Sequence, residues 1–132
     1  MAGSNTPALI LLGHGARDPE WRRPIDAIWK LVCEQAPGVR VSVAFHEFIG
    51  PSLAEAVAAL QAAGHREIVV VPVFIAQGGH LRQEIPMQID ALRRRYPDCR
   101  LILESAVGES PLVQAAIATH CTDRIRTKGE KN

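Results

Sequence analysis

Three segments of this sequence place histidine or glutamate at or soon after the end of a short apolar run, where such groups could bind a metal ion. His14 follows the first run, and His46 with Glu47 follows the second. His80 comes shortly after the third run. Two imidazoles and a carboxylate are donors suited to a divalent metal, and they can also accept protons from a bound ligand. The residues predicted to bind metal and to act in catalysis are His14, His80 and Glu47.

Glycines and arginines surround the loops that carry His14 and His80. Glycine lets a bulky ligand approach the backbone closely, and the arginine guanidinium can grip a carboxylate through paired hydrogen bonds. The local pattern therefore predicts a polyanionic ligand together with a cation. The residues predicted to bind this substrate are Gly13, Gly15, Gly78, Gly79, Arg17 and Arg82.

Two neighbouring residues have a structural interpretation that competes with a functional one. Adjacent residues of an extended chain point to opposite faces, so we expect His46 to point away from Glu47. His46 is then expected to pack or to support the site from behind. Trp21 could line a pocket or cap the first helix, but packing in the core is the preferred prediction.

The elements that must position these residues are predicted from the apolar pattern. It indicates four strands, at residues 8–12, 39–45, 68–74 and 100–103. Continuous apolar runs are typical of parallel strands buried on both faces, whereas the more alternating second run predicts a strand nearer the edge of the sheet. Pro72 cannot donate to a sheet ladder, so we expect it near the end of the third strand or at a bulge.

Four helices are predicted between and after these strands. Capping and proline signals place helix starts at Asp18-Pro19, Pro51-Ser52 and Ser110-Pro111. Because of Pro86, the third helix is expected to begin near Ile85. The last helix is expected to bury a stripe formed by Val113, Ile117 and Cys121.

Alternating strands and helices predict an α/β fold of three layers, a four-stranded parallel sheet flanked by helices on both faces. In such sheets ligands bind beyond the carboxyl ends of the strands, which is where the histidines fall. The length of 132 residues suits one domain, 1–132, with an ordered core from about residue 7 to 126.

The amino-acid composition disfavours several functional classes for this protein. With 47% hydrophobic and 22% charged residues and a net charge of +1, no overall field favours nucleic acid or a membrane surface as a partner. We see no signal peptide and no apolar run long enough to span a membrane. Three widely spaced cysteines predict reduced thiols and a cytoplasmic location.

Several motifs, taken in order, resemble the small sirohydrochlorin chelatases, the single-domain, CbiX-type members of the class II chelatases. They are Leu11-Leu-Gly-His-Gly-Ala-Arg-Asp-Pro19, Ala44-Phe-His-Glu47 with Pro51-Ser-Leu53, Val70-Val-Pro-Val-Phe74, Gly78-Gly-His80 and Glu84-Ile-Pro86. The resemblance extends from about Leu11 to the last helix. Two departures are His46, where relatives usually have an aliphatic residue, and Glu84, where aspartate is common.

The resemblance implies a chelatase-like fold that pairs into a homodimer. It implies insertion of Co²⁺ or Fe²⁺, with Ni²⁺ also considered, into the tetrapyrrole sirohydrochlorin on routes to cobalamin or sirohaem. The two histidines of the family match His14 and His80, and its glutamate matches Glu47. No cofactor beyond the substrate metal is implied.

Other functions remain open or are disfavoured. A hydrolase is disfavoured because the sequence has no G-x-S-x-G motif, and a histidine phosphatase because Leu12-Gly13 precedes His14 where an arginine would be needed. A non-catalytic carrier of metal or tetrapyrrole, or a partner-dependent subunit, stays an alternative to a chelatase.

Overall fold

A four-stranded parallel sheet with the strand order β2-β1-β3-β4 organises the chain in a computed structural model that describes residues 6–130. The strands are β1 (Ala8–Gly13), β2 (Val41–Phe45), β3 (Glu67–Pro72) and β4 (Arg100–Leu103). The helices are α1 (Arg23–Gln35), α2 (Leu53–Ala62), α3 (Gly79–Arg95) and α4 (Pro111–Glu130). The predicted α/β class, the parallel sheet and all four strands are confirmed.

The central strands are the most apolar ones, as the sequence pattern predicts. Ile10 and Leu12 of β1 and Val70 of β3 are completely buried, at 0% exposure. β2 lies at one edge of the sheet, which confirms the prediction from its alternating pattern. Pro72 is the last residue of β3 and pairs with Leu12, and the N–H of Val73 after it still donates to the Leu12 carbonyl at 2.8 Å, so the missing N–H of Pro72 does not interrupt the pairing with β1.

Helices cover both faces of the sheet. α2 and α3 pack on one face, where Val57, Ile85 and Ile89 are completely buried against the strands. α1 packs on the other face through Ile25, against Leu11 and the residues around β2. This arrangement gives the three predicted layers.

The start of α2 is stabilised by a reciprocal capping box. The Ser52 hydroxyl accepts a hydrogen bond from the backbone N–H of Glu55 at 3.1 Å, and the Ser52 backbone N–H donates to the Glu55 carboxylate at 2.9 Å. Both bonds satisfy donors that a helix start would otherwise leave free. The helix start predicted at Pro51-Ser52 is therefore confirmed.

We expect Ser52→Ala to lower the free energy of unfolding by about 1 kcal/mol, because it removes the side-chain acceptor at the N-cap. Urea denaturation monitored by circular dichroism measures the change. Ser52→Thr keeps a hydroxyl at the same position and should retain most of the stability. Equal stability of the alanine variant and the parent would contradict a capping role.

Two helices begin at other residues than the sequence predicts. Asp18 does act as a cap, but for a short 3-10 turn, Pro19–Arg22, and α1 begins after it at Arg23. α3 begins at Gly79, so the predicted start near Ile85 is wrong, and Pro86 lies within the helix. Pro86 lacks an N–H for the helical ladder, and Ile85 next to it is completely buried.

α4 departs most from expectation. The predicted burial of Val113, Ile117 and Cys121 is wrong, because every residue from Pro111 to Gly129 is exposed except the half-buried Val113. The ordered core was expected to end near residue 126, whereas α4 continues to Glu130. The parts of the predicted domain at 1–5 and 131–132 lie outside the described residues.

A membrane-crossing helix needs a length and an apolar character that no helix within residues 6–130 combines.

Candidate functional site

The loops that follow β1 and β2 continue their parallel pairing beyond the strands. The backbone N–H of His46 donates to the carbonyl of Gly13 at 2.9 Å, and that of Glu47 donates to the carbonyl of His14 at 3.1 Å. The two loops therefore run side by side at the carboxyl edge of the sheet. The structure brings His14 and Glu47 together there, as their positions after neighbouring strands predict.

Gly15 makes this close approach possible. Its φ is +88°, and a Cβ atom at this position would lie 1.9 Å from the carbonyl oxygen of Glu47. Both the backbone conformation and the contact distance require glycine. Gly13 is also tightly enclosed, because a Cβ there would meet Ile25 at 3.1 Å and Phe45 at 3.2 Å.

The imidazole of His14 stacks on the ring of Phe74, with ring centroids 3.9 Å apart. Desolvation by this packing lowers the pKa of His14, and the nearby His46 lowers it further, while Glu47 opposes the shift. The lowered pKa favours neutral imidazole at physiological pH. Neutral imidazole has a nitrogen lone pair that can bind a metal or accept a proton.

His80 occupies the first turn of α3, and its position relative to the β2 loop is set through Glu84. The Nε2 atom of His46 lies 2.9 Å from a carboxylate oxygen of Glu84, which ties α3 to that loop. Because residues four apart share one face of a helix, His80 lies on the same side of α3 as Glu84. His80 therefore follows β3 at the carboxyl edge of the sheet, on the side of α3 that contacts His46.

His46 has the supporting position that the sequence predicts for it. Its side chain is only 9% exposed, whereas Glu47 beside it is exposed. The two neighbours point to different sides of the loop, so Glu47 faces solvent and His46 packs against Glu84. His46 holds the β2 loop against α3.

The exposed groups at this edge do not form a closed metal cage. Within the described part of the chain, no three histidine, cysteine, aspartate or glutamate side chains converge on one point. His14, Glu47 and His80 stand as separate, solvent-accessible side chains. Their role as metal ligands and catalytic groups stays a prediction.

A largely apolar cleft of about 570 Å³ opens next to His14. Of the predicted residues, Gly13, His14, Gly15 and Arg17 line it. The other predicted residues lie outside its lining: Glu47, Gly78, Gly79, His80 and Arg82. The cleft is thus lined by the predicted residues of the β1 loop. Glu47 and the predicted residues at the start of α3 lie outside its lining.

Two aromatic residues of the cleft were not among the residues predicted to form the site. Trp21 is 74% exposed and lines the cleft, so the prediction that it packs in the core is wrong. The short 3-10 turn carries Trp21 outward before α1 begins. Phe48 has a φ of 72° and lies beneath the guanidinium of Arg17, whose Cζ is 5.0 Å from the ring centroid. A left-handed phenylalanine leaves no signal in a single sequence.

The CbiX family model matches residues 8–124. The sirohydrochlorin cobaltochelatase of Methanopyrus kandleri is 39% identical over 82 residues, which are 62% of this chain and 57% of the relative. The match therefore spans little more than half the length of that relative.

Solved structures show the same fold. A candidate CbiX protein of cobalamin (vitamin B12) biosynthesis from Marinobacter aquaeolei VT8 superposes with a TM-score of 0.81 and 27% identity, over 91% of this chain and 98% of that one. SirB from Bacillus subtilis with Fe³⁺ superposes with a TM-score of 0.73 and 25% identity, over 89% of this chain and 46% of SirB.

Proposed function

The chain belongs to the CbiX family, and from this premise we propose that it inserts Co²⁺ or Fe²⁺ into sirohydrochlorin on a route to cobalamin or sirohaem. Ni²⁺ is a third candidate metal. One observation carries the proposal furthest, namely the position of His14 on the wall of an apolar cleft, with a pKa lowered toward the neutral imidazole. The cleft volume of about 570 Å³ lies within the range of small-molecule sites.

The walls of the cleft suit a macrocycle with an apolar ring and a charged rim. Trp21, Ile28 and Phe48 offer apolar surface on which a flat ring can stack. Arg17, held over Phe48, stands where it can pair with a carboxylate of the rim. Arg82 is exposed in the first turn of α3 and would contact a second carboxylate.

Metal insertion releases two protons from the pyrrole nitrogens while the metal ion exchanges water for those nitrogens. In our proposal the neutral imidazole of His14 accepts a proton from the ring. His80 and Glu47, exposed at the same edge, hold the incoming ion and accept the second proton. Gly78 and Gly79 before His80 leave room for the ring to approach the backbone, whereas Gly13 and Gly15 line the cleft with their Cβ positions already taken up by neighbouring residues.

We also propose that residues 1–132 act as one chelatase-like domain that pairs with a second copy. The chain matches 46% of SirB, so two copies would supply what one SirB chain supplies. Its three cysteines are free thiols, which supports a reducing compartment, the cytoplasm.

Anaerobic metallation of sirohydrochlorin, followed by absorbance, tests the proposed activity. We expect the protein to accelerate insertion above the protein-free rate when Co²⁺, Fe²⁺ and Ni²⁺ are compared at equal concentrations. The ranking of the three rates identifies the preferred metal among them. Tight binding of the macrocycle without acceleration for any of the three ions would contradict a chelatase and favour a carrier or a partner-dependent subunit.

A further inference from the structure

One face of the His14 imidazole lies against the aromatic ring of Phe74. The ring centroids are 3.9 Å apart and the two planes meet at 29°, which is a stacked arrangement. The rest of the His14 side chain is exposed. Among residues 6–130, neither ring nitrogen of His14 takes part in a hydrogen bond. The stack is therefore the contact that sets the orientation of this ring.

The orientation of the imidazole matters because its nitrogen lone pair lies in the plane of the ring. The backbone of His14 is fixed by its carbonyl, which accepts a hydrogen bond from the N–H of Glu47 at 3.1 Å. Rotation of a histidine ring about its last torsion is nevertheless only weakly restricted by the backbone. A second contact is needed to direct the lone pair, and Phe74 supplies it.

Phe74 is a residue of the main core and is itself held firmly. Its side chain is 3% exposed and belongs to the apolar cluster that contains Leu12 and Ile85. The backbone N–H of Val73, just before it, donates to the carbonyl of Leu12 at 2.8 Å. The carbonyl of Phe74 accepts a hydrogen bond from the N–H of Gly108 at 2.9 Å. The backbone around Phe74 is thus bonded on two sides.

The 3-10 turn Val107–Glu109 packs directly on the chain that follows Phe74. A Cβ at Gly108 would lie 1.8 Å from the carbonyl oxygen of Ile75, so only glycine permits this contact. The Gln114 side chain donates to the carbonyl of Gly108 at 3.0 Å, which joins the turn to the first residues of α4. β1 and this turn together fix the position of the Phe74 ring.

Phe74 lies behind His14 as seen from the cleft. His14 and Val73 are among the residues that line the cleft of about 570 Å³, whereas Phe74 is not. Trp21 and Phe48, by contrast, belong to the lining and can contact a ligand directly. Phe74 can therefore act on a bound molecule through His14.

We propose that Phe74 is a positioning residue, whose ring fixes the plane of the His14 imidazole and directs a nitrogen lone pair of His14 at the ligand in the cleft. Misalignment of a reacting group lowers a rate by up to about 100-fold even when the group itself is present. The inference rests on the proposed role of His14 in metal insertion and deepens it, since it explains how an exposed imidazole keeps one orientation.

Three variants separate positioning from general stability. Phe74→Met fills a similar volume with a flexible side chain but removes the ring, and Phe74→Tyr retains the ring. Leu60→Ala is the matched control, because Leu60 is a buried residue of the same apolar cluster near the amino end of the sheet, where its carbonyl accepts from the N–H of His65. Circular dichroism and urea denaturation check the fold, and Phe74→Leu replaces Phe74→Met where the methionine variant does not fold.

Nuclear magnetic resonance of the histidine ring protons tests the stack without metal or tetrapyrrole. The His14 signals are identified by their absence in His14→Ala. Because an aromatic ring shields the protons above its face, we expect them upfield of those of the exposed His120 in the parent and in Phe74→Tyr. They should move toward the His120 position in Phe74→Met. Unchanged His14 signals in Phe74→Met would overturn the inference.

Metallation kinetics test the consequence of the stack. With saturating Co²⁺ and varied sirohydrochlorin, we expect Phe74→Met to lower kcat about 10-fold. KM should stay within about two-fold of the parental value, because Phe74 does not line the cleft. Phe74→Tyr should restore most of kcat, and Leu60→Ala should keep it despite lower stability. An equal loss of kcat in Leu60→Ala and Phe74→Met would show a general effect of core packing and overturn positioning.

A double-mutant cycle decides whether Phe74 acts through His14. In a His14→Ala background the further change Phe74→Met should leave the residual rate nearly unchanged, because the ring that Phe74 orients is gone. The same fold-loss in both backgrounds overturns the inference. A parental kcat in Phe74→Met also overturns it, while leaving the proposed function intact. A parent that accelerates insertion of none of the three ions contradicts the proposed function instead.

Discussion

His14→Ala should lower the rate of metal insertion at least about 100-fold, the loss typical of removing a positioned proton acceptor. The imidazole lies on the cleft wall against Phe74, and its lowered pKa keeps it ready to accept a proton. The side chain is exposed rather than part of the core, so we expect the fold to be retained. Steady-state metallation by absorbance measures the effect, and circular dichroism checks the fold.

His65→Ala is the matched control for this experiment. His65 precedes β3 and lies at the amino end of the sheet, opposite the candidate site. The His65→Ala variant should insert metal at the parental rate. His80→Ala should lose insertion as His14→Ala does, and parental rates in both variants would remove the two histidines from the proposed site.

Gly15→Ala should disrupt the candidate site more broadly than any single side-chain deletion. An added methyl group would have to move the backbone of Glu47, since its Cβ would lie 1.9 Å from that carbonyl oxygen, and alanine is disfavoured at a φ of +88°. The backbone conformation alone costs about 1–3 kcal/mol. We therefore expect lower stability in urea and loss of metal insertion, because the loops of His14 and Glu47 can no longer pair.

Gly38→Ala provides the comparison for this substitution. Gly38 lies between α1 and β2, and nothing comes within 4 Å of an added Cβ there. The stability of the Gly38→Ala variant and its rate of metal insertion should remain close to those of the parent. A Gly15→Ala variant as stable and active as Gly38→Ala would show that the close approach of the two loops is not required.

The sequence by itself determined the elements and the edge at which the site lies. Apolar runs, the Ser52 cap and the turn residues act over a few neighbouring positions, so they can be interpreted without knowing the rest of the fold. The carboxyl ends of parallel strands meet at one edge, so His14 and Glu47 could be placed together from their positions after two strands. The pairing of their loops follows that prediction.

The tertiary structure alone decided which surfaces meet. The bond between His46 and Glu84 joins residues 38 positions apart, and the packing of Arg17 on Phe48 depends on a left-handed backbone. The outward course of α4 is likewise invisible in its periodicity. A helical period identifies an apolar stripe but not the surface that covers it, because such a surface is formed by residues distant in the chain.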